Sequence, residues 1–112
     1  MDCIFCRLAE GDEGSLLYRD EHVAAFRDIN PQAPHHILIV PRRHLATLNA
    51  LEAADAEVAG RLTLTAQRLA NELGFAEAGY RVVMNCNGHG GQTVFHIHLH
   101  LLGGRAMGWP PG

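Results

Sequence analysis

The chain contains no lysine. All nine of its Lys+Arg positions are arginine, so Schiff-base chemistry and any lysyl nucleophile are excluded. Charge is sparse at 19% and slightly acidic, with twelve Asp+Glu and a net charge of −3, which leaves no basic bulk to grip a nucleic-acid backbone. Three cysteines are an odd count and fit a disulfide framework poorly. No apolar run approaches a membrane span. The segment from Met1 to Cys6 has neither the basic region nor the apolar stretch of a secretory leader. These absences lead to the expectation of one cytoplasmic domain over residues 1–112, with no nucleic-acid and no membrane partner. What remains is a globular composition, 47% hydrophobic, in a chain just long enough to bury one core with a thin margin. Histidine is the surplus: eight residues, three of them at positions 96, 98 and 100.

Hydrophobic patterning predicts a short helix over 3–10 stopped by Gly11, then strands over 16–19 and 23–29 around the turn Asp20-Glu21. Two prolines make 30–34 a loop, and 36–40 reads as a strand ended by Pro41. Val58, Leu62, Ala66, Leu69 and Leu73 recur at helical spacing over 53–73, with Gly74 as the stop. Gly60 inside that helix costs about 1 kcal/mol relative to alanine and is read as permitting close packing on the sheet. Strands over 80–85 and 94–102 follow, separated by the loop 87–91, and the tail 103–112 is irregular. The order is α+β with a mainly antiparallel sheet and two helices. Alternation across 35–36 sends His36 inward and His35 to the surface, and places Cys86 as a buried thiol facing away from Asn85.

The stretch Val94 to Leu101 alternates strictly, so a strand places His96, His98 and His100 on one face. Same-face neighbours stand about 6.5–7 Å apart. Three such rings need solvent, a metal for two of them, or separate chemical tasks. The glycine-rich loop Asn87-Gly88-His89-Gly90-Gly91 leads into this run, and glycines let main-chain amides turn toward an anion. Neutral imidazole beside a bound phosphate is a nucleophile that needs no prior deprotonation. Cys3 and Cys6 form a C-x-x-C, which in a reducing compartment points to metal or redox chemistry.

His96-Ile97-His98-Leu99-His100-Leu101-Leu102 resembles the signature of the histidine triad superfamily. Cys3-Ile4-Phe5-Cys6, the run from Ala25 to Pro34, Val40-Pro41-Arg42-Arg43-His44, Gly90 to Phe95 and the tail with Trp109-Pro110-Pro111 are similar to its nucleotide-binding branch. The resemblance implies a HIT-like fold with a five-stranded sheet, extended to ten strands across a homodimer. It implies hydrolysis of purine nucleoside 5′-phosphoramidates through a nucleotidyl-histidine. Residue by residue, it implies His98 as nucleophile, with His100, His36 and Thr93 beside it in catalysis. Asn85 and the Gly91, Gln92, Thr93 and Val94 backbone are implied for the phosphate, Asp28 for the ribose, and Phe5, Leu8, Phe26, Ile29 and Leu38 for the base. Trp109 is implied to approach the partner's site. A structural Zn2+ held by Cys3, Cys6, His44 and His96 completes the implied set, with no organic cofactor. Other readings of the same pocket are a dinucleoside polyphosphate hydrolase or nucleotidyl transferase, a nucleotide-binding regulatory protein without turnover, and a zinc-only module.

Overall fold

A computed structural model describes residues 3–11 and 14–112. Its elements are α1 (Ile4–Ala9), β1 (Leu16–Arg19), β2 (Val23–Arg27), β3 (His35–Pro41), α2 (Ala56–Glu72), β4 (Tyr80–Val83), the single turn α3 (Asn87–Gly90) and β5 (Leu99–Gly103). Every strand pairing is antiparallel, in the order β1-β2-β3-β5-β4. The expected α+β class and five-stranded sheet are therefore present. Among the described residues, no helix is long and apolar enough to cross a membrane.

Strand alternation sorts the core into two layers. Val23, Ala25, Ile37, Ile39, Leu99 and Leu101 meet Leu62, Ala66, Leu69 and Ala70 of α2 on one face. Ala24, Phe26, Leu38 and Val40 meet Phe5 and Ala9 of α1 on the other. Because both faces are covered, His35 is not the surface residue that alternation suggested. It points to the α2 layer and stacks on Phe75, with ring centroids 4.6 Å apart. Its Nδ1 is buried with no hydrogen-bond partner among the described residues. His36, on the other face, is aimed into the α1 layer.

Several boundaries are shorter than the sequence pattern suggests, each for a local reason. β5 begins at Leu99, not at 94. Its partner β3 ends at Pro41, which has no N–H for the ladder, and the chain turns aside so that Ile97 N–H donates to Leu45 O at 2.7 Å. β4 ends with it, at Val83 opposite His100. β2 stops at Arg27 because Asp28 turns the chain, its Oδ1 accepting from Asn30 N–H at 2.8 Å. Residues 53–55 form a tighter turn, closed by Asp55 N–H to Glu52 O at 2.9 Å. α2 ends as expected, on Gly74 with φ +85° and the bonds Gly74 N–H to Asn71 O and Phe75 N–H to Ala70 O. Gly60 does not serve close packing: a Cβ there meets open space.

Candidate functional site

The α1 face of the sheet carries the site. The register pairs Leu38 with His100 and His36 with Leu102, so His36 and His100 are diagonal neighbours on one face. Beside them opens a cavity of about 340 Å³, within the usual range for a small-molecule pocket. Phe5, Leu8, Phe26, Asp28, Ile29, Leu38, Asn85, Gly91, Thr93, Val94, His98 and His100 all line it, joined by Ile4 and Arg27, which sequence reasoning missed. Ile29 contributes from the rim, fully exposed. One wall is apolar and aromatic: the Phe5 and Phe26 rings meet edge-on at 5.4 Å, and Phe5 meets His98 edge-on at 5.0 Å.

Main-chain groups set the protonation of the histidines. His98 Nδ1 lies 2.8 Å from the carbonyl of His96. A carbonyl only accepts, so Nδ1 carries the proton and Nε2 keeps its lone pair. His96 Nε2 lies 2.8 Å from Pro41 O, which by the same reasoning leaves His96 Nδ1 as a lone pair. His36 works in the opposite sense. Gln32 N–H donates to its Nδ1 at 3.0 Å, so the proton of the neutral ring sits on Nε2. That Nε2 is 2.9 Å from His100 Nδ1 and 3.4 Å from Asp28 Oδ2. His100 must therefore accept at Nδ1 and carry its own proton on Nε2. His36 thus supports His100 directly and touches neither nitrogen of His98 by hydrogen bond.

Burial pushes the His100 imidazole down to about 4, helped by the neighbouring His98 and His36 and opposed by Asp28. Burial also lowers His36, again against the pull of Asp28. Both rings are neutral at neutral pH, in the tautomers just derived. Asp28, His36 and His100 bring ligand-type atoms close together. The hydrogen bond from Gln32 N–H needs the His36 Nδ1 lone pair, however, and so leaves Nε2 protonated and unsuited to a metal.

The approach to the triad is built differently from a free loop. Asn87–Gly90 is one helical turn capped by Gly91 at φ +81°. Gly91 N–H and Gln92 N–H are spent inside it, on Gly88 O and Asn87 O. The amides of Thr93 and Val94 have no acceptor among the described residues. Gln92 does not line the cavity; its side chain is buried, 6% exposed. It accepts from Asn87 N–H at 2.9 Å and donates to Ala46 O and Val94 O at 2.8 and 3.1 Å. It braces the loop. No pattern in the sequence distinguishes such an inward glutamine from an anion ligand. Trp109 does not line the cavity either and is 83% exposed, while Arg81 holds the tail through Gly108 O at 2.8 Å. Cys86 is half-buried.

A second cluster shares His96 with the triad. Cys3, Cys6, His44 and His96 form a group able to hold a metal ion, their ligand atoms all within 4.8 Å of one another. His96 is fully buried. Both histidines present Nδ1, and the His96–Pro41 bond is the type of outer contact that fixes a ligating ring. Arg42 and Arg43, which follow β3, are turned away to Glu10 and Asp55.

Known proteins fit this geometry. A family model described as the HIT domain matches residues 11–107. The chain is 52% identical, over 93 residues covering 83% of it and 78% of the relative, to an Escherichia coli protein named purine nucleoside phosphoramidase. It is similar to the solved structure of a HIT family hydrolase from Legionella pneumophila, with TM-score 0.95 and 49% identity over 99% of this chain and 100% of that one. It is also similar to a zinc-bound histidine triad family protein from Mycobacterium smegmatis, with TM-score 0.79 and 32% identity over 94% of this chain and 76% of that one.

Proposed function

This chain belongs to the HIT domain family, and from that premise we propose that it hydrolyses purine nucleoside 5′-phosphoramidates, releasing the nucleoside monophosphate and an amine. The observation that carries the reading is His98: its proton is held on Nδ1 by the His96 carbonyl at 2.8 Å, and the ring lines the cavity with Nε2 unprotonated.

His98 Nε2 attacks the α-phosphorus as the P–N bond breaks, and the nitrogen takes a proton from solvent and leaves as the amine. Attack turns the ring into an imidazolium, and the His96 carbonyl already accepts the proton that becomes more acidic. His100 offers Nε2–H to a phosphate oxygen, its orientation set by His36. The amides of Thr93 and Val94 are the available main-chain donors, and the Thr93 hydroxyl takes the side of the departing nitrogen. Water then adds its oxygen to phosphorus as the P–Nε2 bond breaks, freeing neutral His98 and releasing a proton to solvent. Asp28 accepts the ribose hydroxyls on the lone pairs that its turn bond to Asn30 leaves free. The purine lies against Phe5, Leu8, Phe26 and Leu38. The relative named purine nucleoside phosphoramidase supports this substrate class. The test is release of amine from adenosine 5′-phosphoramidate; a rate no higher than the uncatalysed background removes the proposal.

Zinc at the second cluster belongs to the same reading. A tetrahedral zinc with Zn–S of about 2.3 Å and Zn–N of about 2.0–2.1 Å places sulfur and nitrogen about 3.5 Å apart and the two nitrogens about 3.3 Å apart. Cys3 Sγ and Cys6 Sγ lie 3.5 and 3.4 Å from His96 Nδ1, Cys6 Sγ lies 3.4 Å from His44 Nδ1, and the two Nδ1 atoms lie 3.2 Å apart. The donor set therefore fits. Bound there, zinc ties α1 to the chain around β3 and β5 and adds folding free energy to a small core. Thiolate ligands suit a reducing compartment, which supports the cytoplasm as the place of work.

A homodimer completes the proposal. β4 is an edge of the sheet and leaves Tyr80 and Val82 38% and 42% exposed. Pairing β4 with its two-fold copy joins two five-stranded sheets into ten and removes an open edge. Arg81 of that strand holds the tail, so the exposed Trp109 is carried toward the partner.

A further inference from the structure

Cys3 and Cys6 flank Phe5. The helix that Cys3 caps and Cys6 belongs to has six residues, well short of the length that is stable alone in water. Its position depends on its ties. One tie is apolar: Phe5 and Ala9 are buried against Ala24, Phe26, Leu38 and Val40. Another is the sulfur pair, set against His44 and His96, and a third is the C-cap Glu10, paired with Arg19 and Arg42. This same helix supplies Ile4, Phe5 and Leu8 to the cavity wall. The hydrogen bonds that hold the nucleophile's segment are His98 to His96 O, His96 to Pro41 O, and Ile97 N–H to Leu45 O, although Phe5 meets His98 edge-on at 5.0 Å and His96 itself belongs to the metal-binding group. None of these three bonds involves α1.

We infer that the metal held by Cys3, Cys6, His44 and His96 governs affinity for the purine ring by clamping α1, while the hydrogen bonds that hold His98 for the chemical step persist without it. Cys3 and Cys6 are then positioning residues for the base wall. This rests on the proposed readings of the cavity as a purine nucleotide site and of the cluster as a zinc site. The apolar tie survives loss of the metal, so the wall loosens and does not vanish.

The test compares untreated protein, chelator-treated protein, the double variant Cys3→Ser with Cys6→Ser, and Phe5→Ala. Zinc content is measured for each, folding is checked by near-ultraviolet circular dichroism, and binding of adenosine monophosphate and ribose 5-phosphate is measured by calorimetry. Zinc-free folded protein should bind adenosine monophosphate about tenfold more weakly. Its affinity for ribose 5-phosphate, which has no base, should stay within about twofold. With adenosine 5′-phosphoramidate, KM should rise while kcat stays within about threefold. Phe5→Ala should keep its zinc and show the same selective loss, and the chelator-treated protein carries the test if the double variant does not fold. Unchanged adenosine monophosphate affinity in zinc-free folded protein overturns the inference, as does a parallel loss for both probes. Untreated protein purified without zinc removes the metal reading and the inference with it. Zinc-loaded protein that ignores adenosine monophosphate removes the nucleotide reading instead.

Discussion

Replacing Gln92 by alanine should cost stability first and activity second. The side chain satisfies three main-chain groups at once: the Asn87 amide and the carbonyls of Ala46 and Val94. Stranding a buried polar group costs about 1–3 kcal/mol. Asn87 is exposed and Ala46 and Val94 are only half-buried, so water recovers part of that, and the total comes to about 3 kcal/mol. For a domain of this size, that lowers Tm by about 10–15 °C. The freed segment carries Thr93 and Val94, so kcat/KM should fall by about tenfold or more. Gln92→Glu keeps an acceptor for Asn87 N–H but aims a carboxylate at two carbonyls, and should be no more stable than the alanine variant. Thermal melts of the three proteins decide the matter. An alanine variant within about 3 °C of the parent, or a glutamate variant that restores stability, refutes the brace.

Gly60 lies exposed within α2 with open space at its Cβ position, so Gly60→Ala should raise stability by about 1 kcal/mol in chemical denaturation; no gain would mean another strain is met there. The depressed His100 and His36 values make the unfolded chain bind protons that the folded one refuses. Stability should therefore be full above about pH 6.5 and fall as pH drops toward about 4, His100 accounting for about 2–3 kcal/mol of the loss. His100→Gln should flatten that slope, and an unchanged slope would contradict the assignment. Sedimentation at micromolar concentration should give the mass of two chains, and a monomer would leave the β4 edge without its proposed partner.

The sequence showed the site more clearly than it showed the elements that carry it. The His-x-His-x-His alternation put the three rings on one side because a strand repeats every two residues. That pattern cannot reveal that Pro41 ends the neighbouring strand and frees residues 94–98 from the ladder. The apolar side of the cavity was legible in kind, but Phe5 and Leu8 face the cavity only because a six-residue helix lies across one particular layer of the sheet. Reading His35 as exposed failed because alternation tells which face a residue takes and not whether that face is covered. Gln92 looked like part of an anion loop; its three acceptors and donors come from segments as far away as Ala46. The tautomers of His36, His96 and His98 depend on single main-chain groups of Gln32, Pro41 and His96, and those meetings exist only in the folded chain.

The central claim is that His98 becomes covalently linked to the nucleotide. Protein mixed with excess adenosine 5′-phosphoramidate, quenched within one turnover and mapped by peptide mass, should carry adenylate on the peptide at His98. His98→Ala should carry none, while still binding adenosine monophosphate. Adenylate on His36 or His100, or an alanine variant retaining more than about a tenth of the parent rate, would contradict the account.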